Sequence, residues 1–336
     1  EEGAGGFKPR DPREVFTSRY GDCKDKIHLL QTLLHMMNIS STPMLVHTRS
    51  GKLLPELIPG PFLFNHAVLQ IEIDGAVFWV DATFSLQGGS LEQNYFPNFT
   101  SGLLLCKNSS KLVTIPTPKC HKPIEIDTSF LVKSANSAEL TIKRTFHGLN
   151  ADSMRGYLQD EGEKEFSKDM LDDLQKTYGG AKEIRTLKIQ DDREKNTLFI
   201  TASYAIPTRS KAKNKTLRFF STTIENYLQS WVNPERHSPY ALSYPLWVKE
   251  RVHIENPFIS WESSNDEKTY ESDSLLFTHT TTIENHNADF TFELKHLQDH
   301  VPQPDLHNYW DMCQEIQDIA HKELTISSLK HLLKTL

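Results

Sequence analysis

Cys23 is the first residue along this chain whose type and setting favour chemistry. It lies in Tyr20-Gly-Asp-Cys-Lys-Asp-Lys26, directly ahead of an amphipathic run. In that run Ile27, Leu30, Leu34 and Met37 recur at helical spacing, with Leu33 beside them, which predicts a helix over 22–38 with the sulfur at its N-terminal end. Unpaired amides and the helix dipole favour an anion there, so the thiol pKa should fall and the thiolate fraction rise. The same amides are placed to donate to the oxyanion of an acyl-transfer intermediate. Against this stands the commoner fate of a lone cysteine, a buried packing residue.

His66 and Asp81 add to the case. Phe64-Asn-His-Ala-Val-Leu-Gln-Ile-Glu-Ile73 reads as a strand, Asp74-Gly75 as a two-residue hairpin turn, and Ala76-Val-Phe-Trp-Val-Asp-Ala-Thr83 as the returning strand. With that turn Ile73 pairs with Ala76 and Val68 with Asp81. His66 and Asp81 then project from one face as diagonal neighbours, about 7–8 Å apart at the backbone. A carboxylate at that place can hold one imidazole nitrogen and present the other to a thiol. A register slip of one residue would separate them. Read alone, His66 is one of 15 histidines and Asp81 a strand-end cap. The combination of Cys23 as nucleophile, His66 as base and Asp81 as orienting residue is what points to thiol catalysis, in the chain order Cys, His, Asp that papain-like enzymes also use.

The strings Tyr20-Gly-Asp-Cys-Lys-Asp-Lys26, Phe64-Asn-His-Ala67 and Trp79-Val-Asp-Ala-Thr83 resemble the bacterial transglutaminase-like superfamily. More narrowly, the chain is similar to proteins that couple an amino-terminal domain of unknown function to such a core. The resemblance covers about residues 5–105. It implies Cys23, His66 and Asp81 as the triad and a papain-like helix-plus-antiparallel-sheet core. It also implies an extracytoplasmic location, periplasmic or secreted. Members carry more chain ahead of the cysteine than the 22 residues found here, so the sequence is expected to be a piece of a longer protein that lacks part of the core. Active members attack an amide carbonyl with the thiolate and pass through an acyl-enzyme. Hydrolysis is expected over cross-linking, because no acidic calcium-loop pattern occurs. The implied partner is a peptide or protein substrate, and no cofactor or metal is expected. The alternative is a catalytically silent module that binds a protein or peptide. Tyr20 and Asn65 are further candidates for the site, with packing as their other role.

The elements that must position these residues are short. Residues 1–20 read as loop with a turn of helix near Pro12–Ser18, and from Pro43 to Val113 the pattern is of short strands. Prolines cluster over Ile115–Pro123, where a boundary is expected. Beyond it Leu140, Ile142 and Phe146 alternate with polar residues as in a half-buried strand. Residues Asp152–Tyr178 read as charged and helical, and further strands are expected over Ile184–Ile189, Thr197–Ile206, Leu246–Ile254, Leu275–Glu284 and Asp289–Leu297. A closing helix from Pro304 to Thr335, broken near Thr325–Ser328, completes the reading. The fold class read from these elements is α+β: a helix-plus-antiparallel-sheet core over 1–115, which the resemblance implies is transglutaminase-like, a β-sandwich-like domain with helices over 116–300, and a helical segment over 301–336.

Composition bounds the rest. The chain has 336 residues, 38% hydrophobic and 24% charged, with a formal net charge of -7 and a pI near 6.1. That is a globular composition, and its acidity argues against a nucleic-acid partner, which needs a basic surface. The basic stretch Arg209–Lys215 reads as a solvated loop, and no apolar run approaches the roughly 20 residues of a membrane-spanning helix. The four cysteines, Cys23, Cys106, Cys120 and Cys313, show no CxxC pairing. A Cys106–Cys120 disulfide is an option only in an oxidising compartment. His147, His237 and His253 are scattered and read as solvated. The sequons at Asn38, Asn98, Asn108 and Asn214 are read as chance.

Overall fold

The computed structural model describes residues 8–117, 122–134, 136–208, 215–228 and 236–327. It is a mixed α and β structure dominated by sheet. The chain divides into two compact units, Glu1–Lys119 with Glu194–Asn196, and Cys120–Arg193 with Thr197–Leu336.

The first unit begins with α1 (Pro12–Ser18) and α2 (Cys23–Met36), followed by strands β1 (Ser40–Val46), β2 (His66–Ile73), β3 (Ala76–Val80), β4 (Ser101–Leu104) and β5 (Val113–Thr114). The strands form one antiparallel sheet in the order β3-β2-β1-β4-β5. Asp74 and Gly75 both take positive φ, 50° and 79°, as the tight hairpin turn requires, and Ile73 pairs with Ala76. The apolar run of β2 is covered on both sides. Ala67, Leu69 and Ile71 pack with Ile27 of α2, while Val68 packs with Met44, Val46 and Phe99. The helix that begins at Cys23 and the hairpin that follows His66 thus share β2 as their common support.

The second unit is built on a sheet of eight strands: β6 (Ile124–Ser134), β7 (Ser137–His147), β8 (Lys182–Asp192), β9 (Thr197–Pro207), β12 (Leu246–Glu255), β13 (Trp261–Glu271), β14 (Leu275–Asn285) and β15 (Asn287–His296), in the order β13-β14-β15-β12-β6-β7-β9-β8. Two short ladders stand beside it, β10 (Lys215–Phe220) with β17 (His321–Ser327) and β11 (Tyr240–Ala241) with β16 (His300–Val301). Helices α3 (Leu149–Glu161), α4 (Glu163–Tyr178), α5 (Thr222–Tyr227) and α6 (Leu306–Ala320) complete the unit.

Three expectations change here. In place of the β-sandwich, a parallel ladder between β6 and β12 joins two antiparallel runs of four strands into one sheet. That pairing links residues near 124 to residues near 248, and hydropathy periodicity carries no information about such a long-range partner. The helical stretch expected over Asp152–Tyr178 is present as two helices, divided at Gly162 with φ of 87°, a conformation glycine reaches without a Cβ penalty. The closing helix ends at Ala320, and His321–Ser327 is a strand paired with β10. There the β-branched Thr325-Ile326 and a waiting partner override a local helical pattern. The remainder of that expected helix lies outside the described residues. The segment expected apart at 301–336 reaches the core of this unit through α6, whose Leu306, Tyr309, Cys313 and Ile316 are buried in the same cluster as Phe130, Leu140 and Phe292.

Candidate active site

Cys23 is the first residue of α2, and the start of that helix is fixed by acids on both sides of it. The Asp22 carboxylate accepts from the Asp25 amide at 3.2 Å, and the Asp25 carboxylate accepts from the Asp22 amide at 3.3 Å, a reciprocal cap. Asp25 is buried and is further held by Arg10, whose amide donates to Oδ1 at 2.9 Å and whose Nε donates to Oδ2 at 2.8 Å. Burial opposes the charge on Asp25, but these donors hold its carboxyl below the usual range. Arg10 Nη2 also donates to the Tyr20 carbonyl at 2.6 Å, and the guanidinium lies 5.9 Å from the Tyr20 ring centre. Tyr20 therefore braces the segment that leads into the cysteine. Of the first-turn amides, that of Asp25 is taken by the Asp22 carboxylate and that of Lys26 by the Asp22 carbonyl, while those of Cys23 and Lys24 have no intrahelical acceptor.

His66 is the first residue of β2, and Asp81 follows directly on β3, one position beyond the last pair, Leu69 with Val80. His66 Nε2 and Asp81 Oδ2 are 2.7 Å apart. The second oxygen of Asp81 accepts from the Thr83 amide at 2.9 Å and the Thr83 hydroxyl at 2.7 Å, so the carboxylate cannot swing away. With Nε2 engaged, Nδ1 is the ring nitrogen left over, and Cys23, His66 and Ala67 border one cleft, where the His66 ring and the Ala67 backbone lower the Cys23 pKa. The His66 ring also lies 5.8 Å from the ring of the buried Phe99, which limits its rotation.

The electrostatics follow from these contacts. The hydrogen bond from His66 lowers the Cys23 pKa, and the Ala67 backbone and the imidazole charge add to it; burial and Asp22 oppose it. Burial works against a charged His66, but Asp81 and Cys23 together raise it to about 9. Burial likewise opposes ionisation of Asp81, and the His66 and Thr83 donors lower its pKa all the same. Opposite charges and hydrogen bonds thus favour a thiolate, an imidazolium and a carboxylate in series.

A cleft of about 840 Å³ opens beside Cys23 and His66, within the range of small-molecule and peptide-side-chain sites. Asn65 borders it but is engaged with Thr48, accepting from its amide at 2.9 Å and donating to its hydroxyl at 3.0 Å. Among the described residues no group of three or more His, Cys, Asp or Glu is placed to hold a metal ion, and no helix is long and apolar enough to cross a membrane. Cys106 is an exposed free thiol, Cys313 a buried one; Cys120 lies outside the described residues, as do Asn214 and most of Arg209–Lys215. The sequence reading missed Arg10, Asp25, Thr83 and Phe99. Asp81-Ala-Thr83 does carry a local signal, since a carboxylate commonly accepts from the backbone two residues on. The bond from Arg10 to Asp25 spans 15 positions and has no such signal.

No family model matches the chain, and no curated protein matches it. Among solved structures it is similar to a "putative protease" from Parabacteroides distasonis, at 12% identity and a TM-score of 0.49, over 95% of this chain and 46% of the other. The chain spans less than half the length of that structure.

Proposed function

We propose that this chain carries out thiol-dependent acyl transfer on a peptide or protein amide, with Cys23 as nucleophile, His66 as base and acid, and Asp81 as the residue that orients His66, on a transglutaminase-like core within residues 1–115. The observation that carries this reading is His66 held at 2.7 Å by Asp81 on the cleft that Cys23 also borders, with the Cys23 pKa lowered chiefly by the His66 ring. The Cys23 thiolate attacks the amide carbonyl carbon, and a carbon–sulfur bond forms. The amides of Cys23 and Lys24 take the oxyanion charge. As the carbon–nitrogen bond breaks, His66 gives its proton to the leaving amine. Water, deprotonated by His66, then attacks the thioester, releasing a carboxylic acid and returning the thiolate and imidazolium.

The test is covalent trapping. Incubation with a peptide-like electrophile should give one adduct, mapped to Cys23 by mass spectrometry, and a cleaved peptide amide should yield a free carboxylic acid even when a primary amine is present. Cys23→Ala should abolish the adduct and His66→Ala nearly so. Asp81→Ala should be milder, on the order of 10–100-fold less severe, because the orienting carboxylate is the least costly member of a comparable triad to lose. An adduct that survives Cys23→Ala sinks the nucleophile. A folded protein that neither traps a probe nor cleaves a peptide would favour the alternative, a protein- or peptide-binding module with a silent triad.

A further inference from the structure

The cleft beside Cys23 has walls that contrast with the ionic triad at its end. Leu45, Leu63, Leu103, Leu105 and Leu112 line it, and among the described residues that line it there is no aspartate or glutamate, while Lys24 and Lys111 are present. A cationic side chain placed there would lose its hydration and meet no carboxylate on these walls. The loop over 47–65, which leaves β1 after Val46 and returns at His66, adds Leu54 and Leu57 to the lining. The same loop holds Ile58 and Phe62 outward, 89% and 82% exposed. Both lie in sequence between residues of the lining, Leu57, Pro59 and Leu63, and apolar side chains that exposed mark a surface that receives apolar groups. Gln31, Ser109 and Ser110 interrupt the lining with hydrogen-bonding groups, which a peptide backbone uses and a plain hydrocarbon chain does not.

We infer that this cleft is the acyl-side specificity site, and that it takes peptides with a bulky aliphatic or aromatic side chain at or next to the carbonyl attacked by Cys23, and rejects lysine and arginine there. The inference rests on the acyl-transfer reading and deepens it. The acyl group stays bonded to sulfur through the intermediate, so it occupies the space contiguous with Cys23.

The experiment compares acetyl-aminoacyl chloromethyl ketones in which the side chain is that of Leu, Phe, Lys or Asp, plus a decanoyl-glycyl analogue. In each case the Cys23 sulfur displaces chloride, forming a carbon–sulfur bond, and the adduct is counted by intact mass. Each rate is divided by the same protein's iodoacetamide rate, which reports the thiolate without reference to the cleft. The Leu and Phe probes should react at least about tenfold faster than the Lys probe, the range a hydrophobic pocket achieves. Leu57→Glu and Leu105→Glu test the wall, and because both leucines are at least 40% exposed, the variants should fold. Each should narrow or invert the preference for Leu over Lys. Equal normalised rates for all probes, a Lys probe that leads, or a decanoyl probe that leads would overturn the peptide specificity while leaving the activated thiolate intact. A Cys23 no more reactive than Cys106 toward iodoacetamide, with no adduct from any probe, would overturn the acyl-transfer reading itself and this inference with it.

Discussion

His66 stands between two acids, and its charge decides what Cys23 can do. Burial lowers an imidazole's pKa, so the rise to about 9 comes from the carboxylate and the sulfur that face it. A histidine raised above its ordinary 6.5 contributes stability in full below 6.5 and loses it as pH climbs through about 9. The carboxyl of Asp81 and the thiol of Cys23, both lowered, work in the other sense: each contribution is present above its ordinary value and is lost as pH falls through the depressed one. The ion pair therefore exists from the pH at which Cys23 ionises up to about 9. Asp81→Asn keeps the shape and removes the charge. With burial then unopposed on that side, His66 should titrate at least about one pH unit lower, as a lost neighbouring charge ordinarily shifts a group. NMR titration of the His66 ring reads this directly, and an unchanged midpoint would show that Asp81 does not set the charge. The same residues differ from the other thiols: Cys313 is pushed up to about 11 by burial, against Tyr309, and should stay unlabelled by iodoacetamide near neutral pH while Cys23 reacts.

At the scale of elements, the sulfur is only as well placed as the first turn of α2. Gly21 shows how closely that turn is seated. A Cβ there would lie 2.8 Å from Asp25 Cβ and 3.1 Å from Val15 Cγ1, and neither atom is the free end of a flexible chain. Gly21→Ala should cost about 1–3 kcal/mol, as overpacking does, and should slow Cys23 alkylation by displacing Asp25 and the cap it forms. Gly60→Ala, where the nearest atom is 4.0 Å away, is the control and should leave the melting temperature close to wild type. A Gly21→Ala protein as stable and as reactive as the control would mean that the seat tolerates displacement. These elements also separate what a sequence can reveal from what it cannot. Asp74-Gly75 defined its hairpin because a two-residue turn fixes register locally, and the helix after Cys23 was visible in the spacing of Ile27, Leu30 and Leu34. The β6–β12 ladder, the β10–β17 ladder and the bond from Arg10 to Asp25 depend on partners distant in sequence, and nothing in the local pattern near Ile124, Lys215 or Arg10 announces them.

At the scale of the whole molecule, every group proposed for the chemistry belongs to the first unit. Cys23, His66, Asp81, Thr83 and the cleft lining all fall before residue 117. The apolar clusters follow the same division. Ile27 with Ala67, Leu69 and Ile71 forms one, Met44 with Val68, Phe99 and Ile115 another, and the large cluster begins only at Ile124. A unit with its own core, of a length typical of single domains, should fold without the remainder. We therefore predict that residues 1–119 expressed alone unfold cooperatively on heating and retain Cys23 alkylation within about twofold of the full chain, the scatter expected when local contacts are unchanged. His66→Ala in the fragment should slow alkylation at pH 7 as it does in the full chain, because the imidazolium that lowers the thiol is carried by the fragment itself. A fragment that is unfolded, or folded with an ordinary thiol, would show that residues beyond 119 complete the site. A reactive fragment that no longer distinguishes a Leu from a Lys probe would place that contribution in the cleft and leave the triad self-sufficient.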